Sequence, residues 1–131
     1  MLLDYKGFAY LSDFGLVKFI SEGNNVANTF CGTPEYLAPE RILDRGCTRA
    51  GDWWSLGILT YELLFGTLPF YSKNRSEMFK KTILEKLNFD QTVTISSEAK
   101  DFIKKLLTKS PNKRLGSEGG ALEILSHPFL D

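Results

Sequence analysis

Residues 52–66 read DWWSLGILTYELLFG and are apolar on nearly every side of a helix. A helix without a continuous polar stripe is either a membrane span or the central helix of a larger core. The run is shorter than the roughly 20 apolar residues that a bilayer requires, and Ser55, Thr60 and Glu62 interrupt it. We therefore predict a buried helix of a soluble protein. It begins at Asp52, since a carboxylate is favourable near a helix N-terminus, and it ends at Gly66.

The composition of the 131 residues limits the function classes. The 16 basic and 16 acidic residues balance, so we expect no general attraction to nucleic acid or to an acidic membrane surface. Cys31 and Cys47 form neither a disulfide framework nor a metal-ligand spacing, which favours a reduced intracellular protein. The N-terminus lacks a charged region followed by an apolar run, so we predict no signal peptide, no membrane span and a cytoplasmic location.

The rest of the chain predicts a mainly α fold with a small N-terminal β-hairpin. Residues 2–11 have the hairpin pattern, with a turn at residues 4–7. The segment 12–40 has little periodicity, but apolar anchors such as Phe14, Tyr36 and Leu37 bound it, which favours a functional loop. Capping and periodicity then predict further helices from Pro39 to Leu43, from Glu77 to about Lys86 after a Ser76 cap, after Ser96 or Ser97, and from Ala121 to Leu125.

A series of short motifs follows the hairpin in a fixed order. The first is Asp13-Phe14-Gly15, where a carboxylate after a strand could coordinate Mg²⁺ and a glycine lets the backbone turn. This tripeptide alone is a weak signal, whereas the order and spacing of the whole series are specific. The later motifs are CGTPEY at 31–36, APE at 38–40, DWWSLG at 52–57, LPF at 68–70, KRLG at 113–116 and HPF at 127–129.

The series closely resembles the C-terminal lobe of a eukaryotic protein kinase, from the aspartate–phenylalanine–glycine motif onward. The sequence TFCGTPEYLAPE at 29–40 and the paired tryptophans resemble the AGC group, the relatives of protein kinases A, G and C. The resemblance covers essentially the whole chain. It implies a partial protein kinase domain at 1–131, with an activation segment at 13–40, a central buried helix at 52–66 and C-terminal helices at 76–130.

The resemblance implies roles for the residues of the activation segment. Asp13 resembles the carboxylate that binds the Mg²⁺ bridging the ATP phosphates, and Phe14, followed by Gly15, the side chain whose packing separates active from inactive arrangements. Thr29 resembles the threonine that an upstream activating kinase phosphorylates, and Lys18 one of its phosphate partners. ATP and Mg²⁺ are thus the cofactors implied for a full-length protein. We expect neither to bind tightly to these 131 residues alone.

A second group of residues resembles the substrate-facing surface of that lobe. Thr33 resembles a hydroxyl that supports catalysis by contacting the catalytic aspartate and lysine. Phe30, Gly32 and Glu35 resemble parts of the wall that receives the residue after the phosphoacceptor. Glu62 resembles an acidic contact for a basic residue on the N-terminal side of the acceptor. The implied partners are therefore protein substrates with basic residues before a serine or threonine.

Three further residues resemble structural positions of the family. Glu40 and Arg114 resemble a buried ion pair that anchors the end of the activation segment, and removing one partner of such a pair costs about 3–5 kcal/mol. Asp52 resembles the aspartate that ties the central helix to the catalytic loop.

The residues themselves leave simpler alternatives open. Thr29 could be an ordinary loop threonine, and Glu62 a polar residue near a helix end. Cys31 could be a redox-sensitive thiol, although no resolving partner is visible in the sequence. His127 is best interpreted as a structural residue that packs before Pro128.

The 131 residues lack the glycine-rich loop, the strand lysine with its helix glutamate, and the H-R-D-x-x-x-x-N loop of a kinase. We therefore expect no phosphate transfer by these residues alone, and a large apolar surface where such segments would cover the central helix. Three interpretations remain: part of an AGC-type serine/threonine kinase, a non-catalytic module that binds substrates or partner proteins, or a subunit to which another chain supplies the missing lobe.

Overall fold

A computed structural model describes residues 1–15, 17, 32–46 and 48–131, and its longest described helix, the central one, packs against the helix that begins at Ser97. The prediction of a mainly α fold with a small N-terminal hairpin is confirmed. The described elements are β1 (Leu2–Leu3), β2 (Ala9–Tyr10), a 3₁₀ helix (Pro34–Tyr36), α1 (Pro39–Ile42), α2 (Ala50–Phe65), α3 (Arg75–Leu84), α4 (Ser97–Leu106), a 3₁₀ helix (Pro111–Lys113), α5 (Gly120–Leu125) and a 3₁₀ helix (Pro128–Leu130).

The hairpin forms because its turn is closed by an aspartate side chain. Strands β1 and β2 are antiparallel, with Leu2 opposite Tyr10. The Asp4 carboxylate accepts the backbone N–H groups of Lys6 and Phe8 at 2.9 and 2.8 Å. The apolar side chains of this region remain outside the core, and each is more than half exposed: Leu2, Leu3, Phe8, Tyr10, Leu11 and Phe14.

The central helix α2 ends where the sequence predicts and begins slightly earlier. Gly66 adopts the left-handed conformation at φ 70°, and its N–H donates to the Glu62 carbonyl. The helix starts at Ala50 rather than Asp52 because the backbone N–H groups of residues 51 and 52 already donate to the carbonyls of residues 48 and 49. Asp52 therefore lies in the first turn, where its charge still complements the helix dipole.

The core lies between α2 and α4. Its main cluster comprises Ala38, Trp54, Ile58, Tyr61, Phe70, Ile103 and Leu107. A smaller cluster joins Phe102, Leu106 and Ile124. The predicted burial of α2 is found on one side of the helix, at Trp54, Ile58 and Tyr61. On the other side Leu63 is 73% exposed, and Asp52 is exposed as well. The elements packed against α2 thus cover only part of its apolar surface.

The caps of α3 and α4 give one wrong and one confirmed prediction. Helix α3 is capped by Asn74, whose Oδ1 accepts the Glu77 N–H at 3.1 Å, whereas the predicted cap, Ser76, lies inside the first turn. Asn74 takes this role because its backbone is extended, as an N-cap requires. Helix α4 is capped by Ser96, whose Oγ accepts the Ala99 N–H at 3.1 Å.

Within the described residues, none of the helices combines the length and the apolar character needed to cross a bilayer.

The contact between α2 and α4 predicts opposite effects for two alanine substitutions in one helix. An added Cβ at Gly57 would lie 2.8 Å from Leu107 Cδ2 and 2.9 Å from Leu106 Cβ, while one at Gly51 would meet nothing within 4 Å. We expect Gly57→Ala to lower the free energy of unfolding by about 1–3 kcal/mol because it overpacks the core. Gly51→Ala should leave it unchanged or raise it by up to about 1 kcal/mol, since alanine is the better helix former. Urea unfolding of both variants measures the difference, and equal effects would contradict this packing.

Candidate functional site

The segment that follows residue 31 is fastened to α2. Pro34 and Pro39 each stand near the start of a short helix, where a missing N–H has no cost. The Ser55 hydroxyl of α2 donates to the Tyr36 carbonyl at 3.0 Å. The segment therefore has a fixed position on the side of the central helix.

A tyrosine of this segment contacts a glutamate of α2. The Tyr36 hydroxyl donates to Glu62 Oε2, so the half-buried carboxylate is held in place by a side chain from the segment. This hydrogen bond, together with burial, raises the pKa of Tyr36 to about 12. The phenol therefore stays protonated and the carboxylate keeps a neutral donor as its neighbour. The arrangement places one fixed negative charge beside the segment.

A pocket of about 380 Å³ lies between the segment and the first turns of α2. It brings together three residues selected from the sequence, Gly32, Thr33 and Asp52. Gly32 has a φ of 111°, a conformation that favours glycine. Asp52 is an exposed residue, yet partial desolvation of its carboxyl raises the pKa of that group above the ordinary value. The pocket therefore combines the Thr33 hydroxyl and the Asp52 carboxyl at one opening. Its other lining residues are Tyr36, Leu37, Ala38, Arg41, Thr48, Gly51 and Ser55.

The end of the segment is anchored by a buried ion pair. Arg114 Nη1 and Nη2 donate to the two carboxylate oxygens of Glu40 at 2.6 and 2.9 Å. The same guanidinium donates to the backbone carbonyls of Ala50 at 2.6 Å and of Thr108 at 3.0 Å. Both charged side chains are buried. The resemblance predicted this pair, and the structure brings the two residues together from positions 74 residues apart.

Asp13 lies apart from these contacts. Its backbone has a φ of 64°, which aspartate tolerates better than most residues, and its Oδ1 accepts the Gly15 N–H at 3.4 Å. The carboxylate is exposed, as is Phe14. No group of three or more metal-ligating side chains occurs among residues 1–15, 17, 32–46 and 48–131. Asp13 therefore does not belong to a site formed by protein side chains alone. Its carboxylate is suited to be a single ligand of an Mg²⁺ ion whose other ligands are phosphates and water.

Several predicted residues fall outside the described part of the chain: Lys18, Thr29, Phe30 and Cys31. Their proposed roles remain predictions. Glu35 is described and lies half-buried in the 3₁₀ helix Pro34–Tyr36.

From the sequence, Tyr36 was only an apolar anchor within the motif at 31–36, and Ser55 only a polar interruption of the central helix. No sequence signal pairs Tyr36 with a glutamate 26 residues away, so only the tertiary structure could identify this contact. His127 is buried; its Nδ1 accepts the Phe129 N–H at 3.2 Å and its Nε2 lies 3.1 Å from Asp101 Oδ2. These two partners agree with the structural interpretation of His127.

Comparison with known proteins gives consistent matches along the chain. Residues 1–130 match the family model described as the protein kinase domain. The chain is 51% identical over its whole length to the serine/threonine-protein kinase gad8 of Schizosaccharomyces pombe. Over 99% of its length it is 47% identical to the serine/threonine-protein kinase YPK1 of Saccharomyces cerevisiae and 44% identical to the serine/threonine-protein kinase sgk-1 of Caenorhabditis elegans. It spans 22%, 19% and 28% of these three proteins, respectively.

The buried ion pair predicts a large stability difference between two single-charge substitutions. Glu40→Gln leaves the Arg114 charge buried without a counter-charge, and we expect the free energy of unfolding to fall by about 3–5 kcal/mol. Lys105→Met breaks the pair with Asp101, whose side chains are 50% and 51% exposed, and should cost no more than about 1 kcal/mol.

Urea unfolding of the two variants, followed by fluorescence of the tryptophans, measures both values. A double variant, Glu40→Leu with Arg114→Met, should recover part of the loss because it removes both charges. A loss below about 1 kcal/mol for Glu40→Gln would contradict the anchoring role.

Proposed function

Because this chain belongs to the protein kinase family, we propose that it provides the activation segment and the substrate-facing part of the C-terminal lobe of an AGC-type serine/threonine kinase. The observation that carries this proposal is the junction of the segment with α2, where Thr33 and Asp52 share a pocket and Tyr36 holds Glu62. A protein that contains this chain would transfer the terminal phosphoryl group of ATP to serine or threonine side chains.

In this proposal the exposed Asp13 carboxylate is one ligand of the metal ion that accompanies ATP. Bound Mg²⁺ neutralises the negative charge of the phosphates during transfer. The left-handed turn at Asp13 presents the carboxylate to solvent, and the hydrogen bond from Gly15 orients one of its oxygens. Thr33 is exposed and lines the 380 Å³ pocket. We propose that its hydroxyl contacts the catalytic groups that the full protein contributes.

Glu62 is proposed to bind a basic side chain of the protein substrate. The carboxylate is half-buried and already oriented by the Tyr36 hydroxyl, so little conformational entropy is lost when an arginine pairs with it. An arginine side chain offers several donors to such a carboxylate. The proposed wall for the residue after the phosphoacceptor comprises Phe30, Gly32 and Glu35, which are close together along the chain.

Activation is proposed to depend on phosphorylation of Thr29 by an upstream kinase, with Lys18 as one phosphate partner. A phosphate adds about two negative charges and requires cations to order the segment. The buried Glu40–Arg114 pair supports this proposal, since it gives the end of the segment a fixed anchor.

A second candidate function is a non-catalytic module that binds substrates or partner proteins. The observation that favours it is that the Tyr36–Glu62 contact and the pocket form within these residues. The 131 residues contain no glycine-rich loop and no H-R-D-x-x-x-x-N loop, so we propose that they do not transfer phosphate by themselves.

The first experiment measures the proposed substrate contact directly. A fluorescent peptide with two arginines before a serine is titrated with the 131-residue chain, and its anisotropy gives the Kd. We expect Glu62→Gln to weaken binding about tenfold, because a charge-assisted hydrogen bond is lost. Glu98→Gln, an exposed helix substitution of the same kind, is the control and should not change the Kd.

A matched peptide with citrulline in place of arginine should bind both glutamine variants and the unchanged chain equally weakly. A preference for the arginine peptide that survives Glu62→Gln would rule out Glu62 as the contact.

A second experiment separates catalysis from binding. The 131-residue chain is incubated with radiolabelled ATP, Mg²⁺ and the arginine peptide, and we expect no labelled peptide above the enzyme-free blank. The missing catalytic loop is the reason, since no residue would accept the proton of the substrate hydroxyl. Transfer that disappears in Asp13→Ala would contradict inactivity of the chain alone and would support the metal-ligand role of Asp13.

A further inference from the structure

The hydroxyl of Ser55 has two acceptors, and one of them lies outside its own helix. Its Oγ lies 3.2 Å from the Gly51 carbonyl, one turn earlier in α2, and 3.0 Å from the Tyr36 carbonyl. The contact within the helix is the usual one for a serine at such a position. Within the described part of the chain, Thr60 of α2 has this usual contact alone, at 2.8 Å from the Leu56 carbonyl. Ser55 therefore differs from Thr60 because its hydroxyl connects α2 to a second element.

Tyr36 is bound to α2 at both of its ends. Its carbonyl accepts the hydrogen bond of Ser55, and its phenol donates to Glu62 Oε2. Seven residues separate Ser55 from Glu62, which is close to two full helical turns, so that both side chains leave α2 on the same side. One residue of the segment thus spans two turns of the central helix, and the two hydrogen bonds fix its place and its orientation together.

The backbone around Tyr36 forms a single turn of 3₁₀ helix. The Tyr36 N–H donates to the Thr33 carbonyl at 3.1 Å, and the Leu37 N–H donates to the Pro34 carbonyl at 3.3 Å. Hydrogen bonds of this helix type have poorer geometry than those of an α-helix. A turn closed by such bonds depends on its contacts with α2 for a fixed position, and the hydrogen bond from Ser55 is the one that binds its backbone.

The orientation of the Glu62 carboxylate depends in turn on Tyr36. Among the described residues, the phenol is its hydrogen-bond donor, and no cation forms an ion pair with it. A glutamate side chain that is free to rotate loses conformational entropy when a ligand fixes it. Because the phenol already fixes the carboxylate, that loss occurs on folding and not on binding.

We propose that Ser55 is a positioning residue for the basic side chain of the substrate: it holds the Tyr36 backbone where the phenol can bind the Glu62 carboxylate. This inference rests on the function proposed for Glu62. Ser55 itself does not contact the substrate. When its hydroxyl is removed, the Tyr36 carbonyl loses its donor and the phenol is no longer held beside Glu62. An arginine then binds more weakly, whereas contacts that do not use Glu62 are unchanged.

The test is a double-mutant cycle on peptide binding. The Kd of the arginine peptide is measured for the unchanged 131-residue chain, Ser55→Ala, Tyr36→Phe and the double variant. We expect each single substitution to weaken binding about fivefold, as the loss of one neutral hydrogen bond does. The double variant should also bind about fivefold more weakly, because Ser55 acts through the phenol. Two independent effects would multiply to about 25-fold.

Two controls separate positioning from a general loss of structure. Thr60→Val also deletes a half-buried hydroxyl of α2, but one that contacts its own helix, and it should not change the Kd. The citrulline peptide should bind the unchanged chain and all variants equally weakly, because it brings no charge to Glu62. Thermal unfolding of each variant verifies that the protein remains folded.

Hydrogen exchange gives a readout that does not use a peptide. The amides of Tyr36 and Leu37 close the 3₁₀ turn, and we expect Ser55→Ala to speed their exchange about fivefold because the turn opens more often. The Leu107 amide at the end of α4, which donates to the Ile103 carbonyl, should keep its rate. Thr60→Val should leave all three rates unchanged.

The outcomes distinguish this inference from the proposed function. Unchanged binding in Ser55→Ala, or a loss of about 25-fold in the double variant, would overturn the positioning role and leave the Glu62 contact in place. Equal affinity of the unchanged chain for the arginine and citrulline peptides would remove the proposed contact and, with it, the positioning role. If Ser55→Ala does not speed exchange at Tyr36 and Leu37, Ser55 does not hold the segment, whatever the peptides show.

Discussion

The ion pair between Arg114 and Glu40 joins two parts of the chain that are 74 residues apart. One guanidinium group binds a carboxylate of α1, the first carbonyl of α2 and the carbonyl of Thr108 after α4. Burying two charges has a large desolvation cost, which only a complete set of hydrogen bonds can offset. Because Arg114 provides that set, it fixes the relative positions of three helices, and the candidate site depends on these positions.

The central helix α2 carries the side chains on which the candidate site is built. Asp52, Ser55 and Glu62 project from α2 toward the segment after residue 31, and each contacts it or lines the pocket beside it. A site built on a packed helix is held more precisely than one built on loops alone. The segment contributes the groups with proposed chemistry, and α2 determines where they lie. Lys109 connects α3 to the aromatic core, because its amine donates to the Thr82 carbonyl of that helix and also lies over the Phe70 ring.

Local signals predicted much of the fold, and they failed where two neighbouring residues could take the same role. The glycine at the end of α2 and the Ser96 cap of α4 were predicted because each acts through its own backbone or side chain. Asn74 and Ser76 are both good N-caps, and only the extended backbone at Asn74 decided between them. The AGC-type kinase resemblance rested on ordered motifs along the whole chain, and the comparisons confirm it.

The sequence by itself determined the family, the helical class and the candidate residues, because motifs, caps and apolar periodicity are local properties of the chain. It also suggested the pairing of Glu40 with Arg114, but only through resemblance. The tertiary structure decided which groups meet: the Tyr36–Glu62 hydrogen bond, the shared pocket of Thr33 and Asp52, and the hydrogen bond from the Lys109 amine to the Thr82 carbonyl. These contacts join residues far apart in the chain, and their energies depend on burial and distance, which arise only when the helices pack.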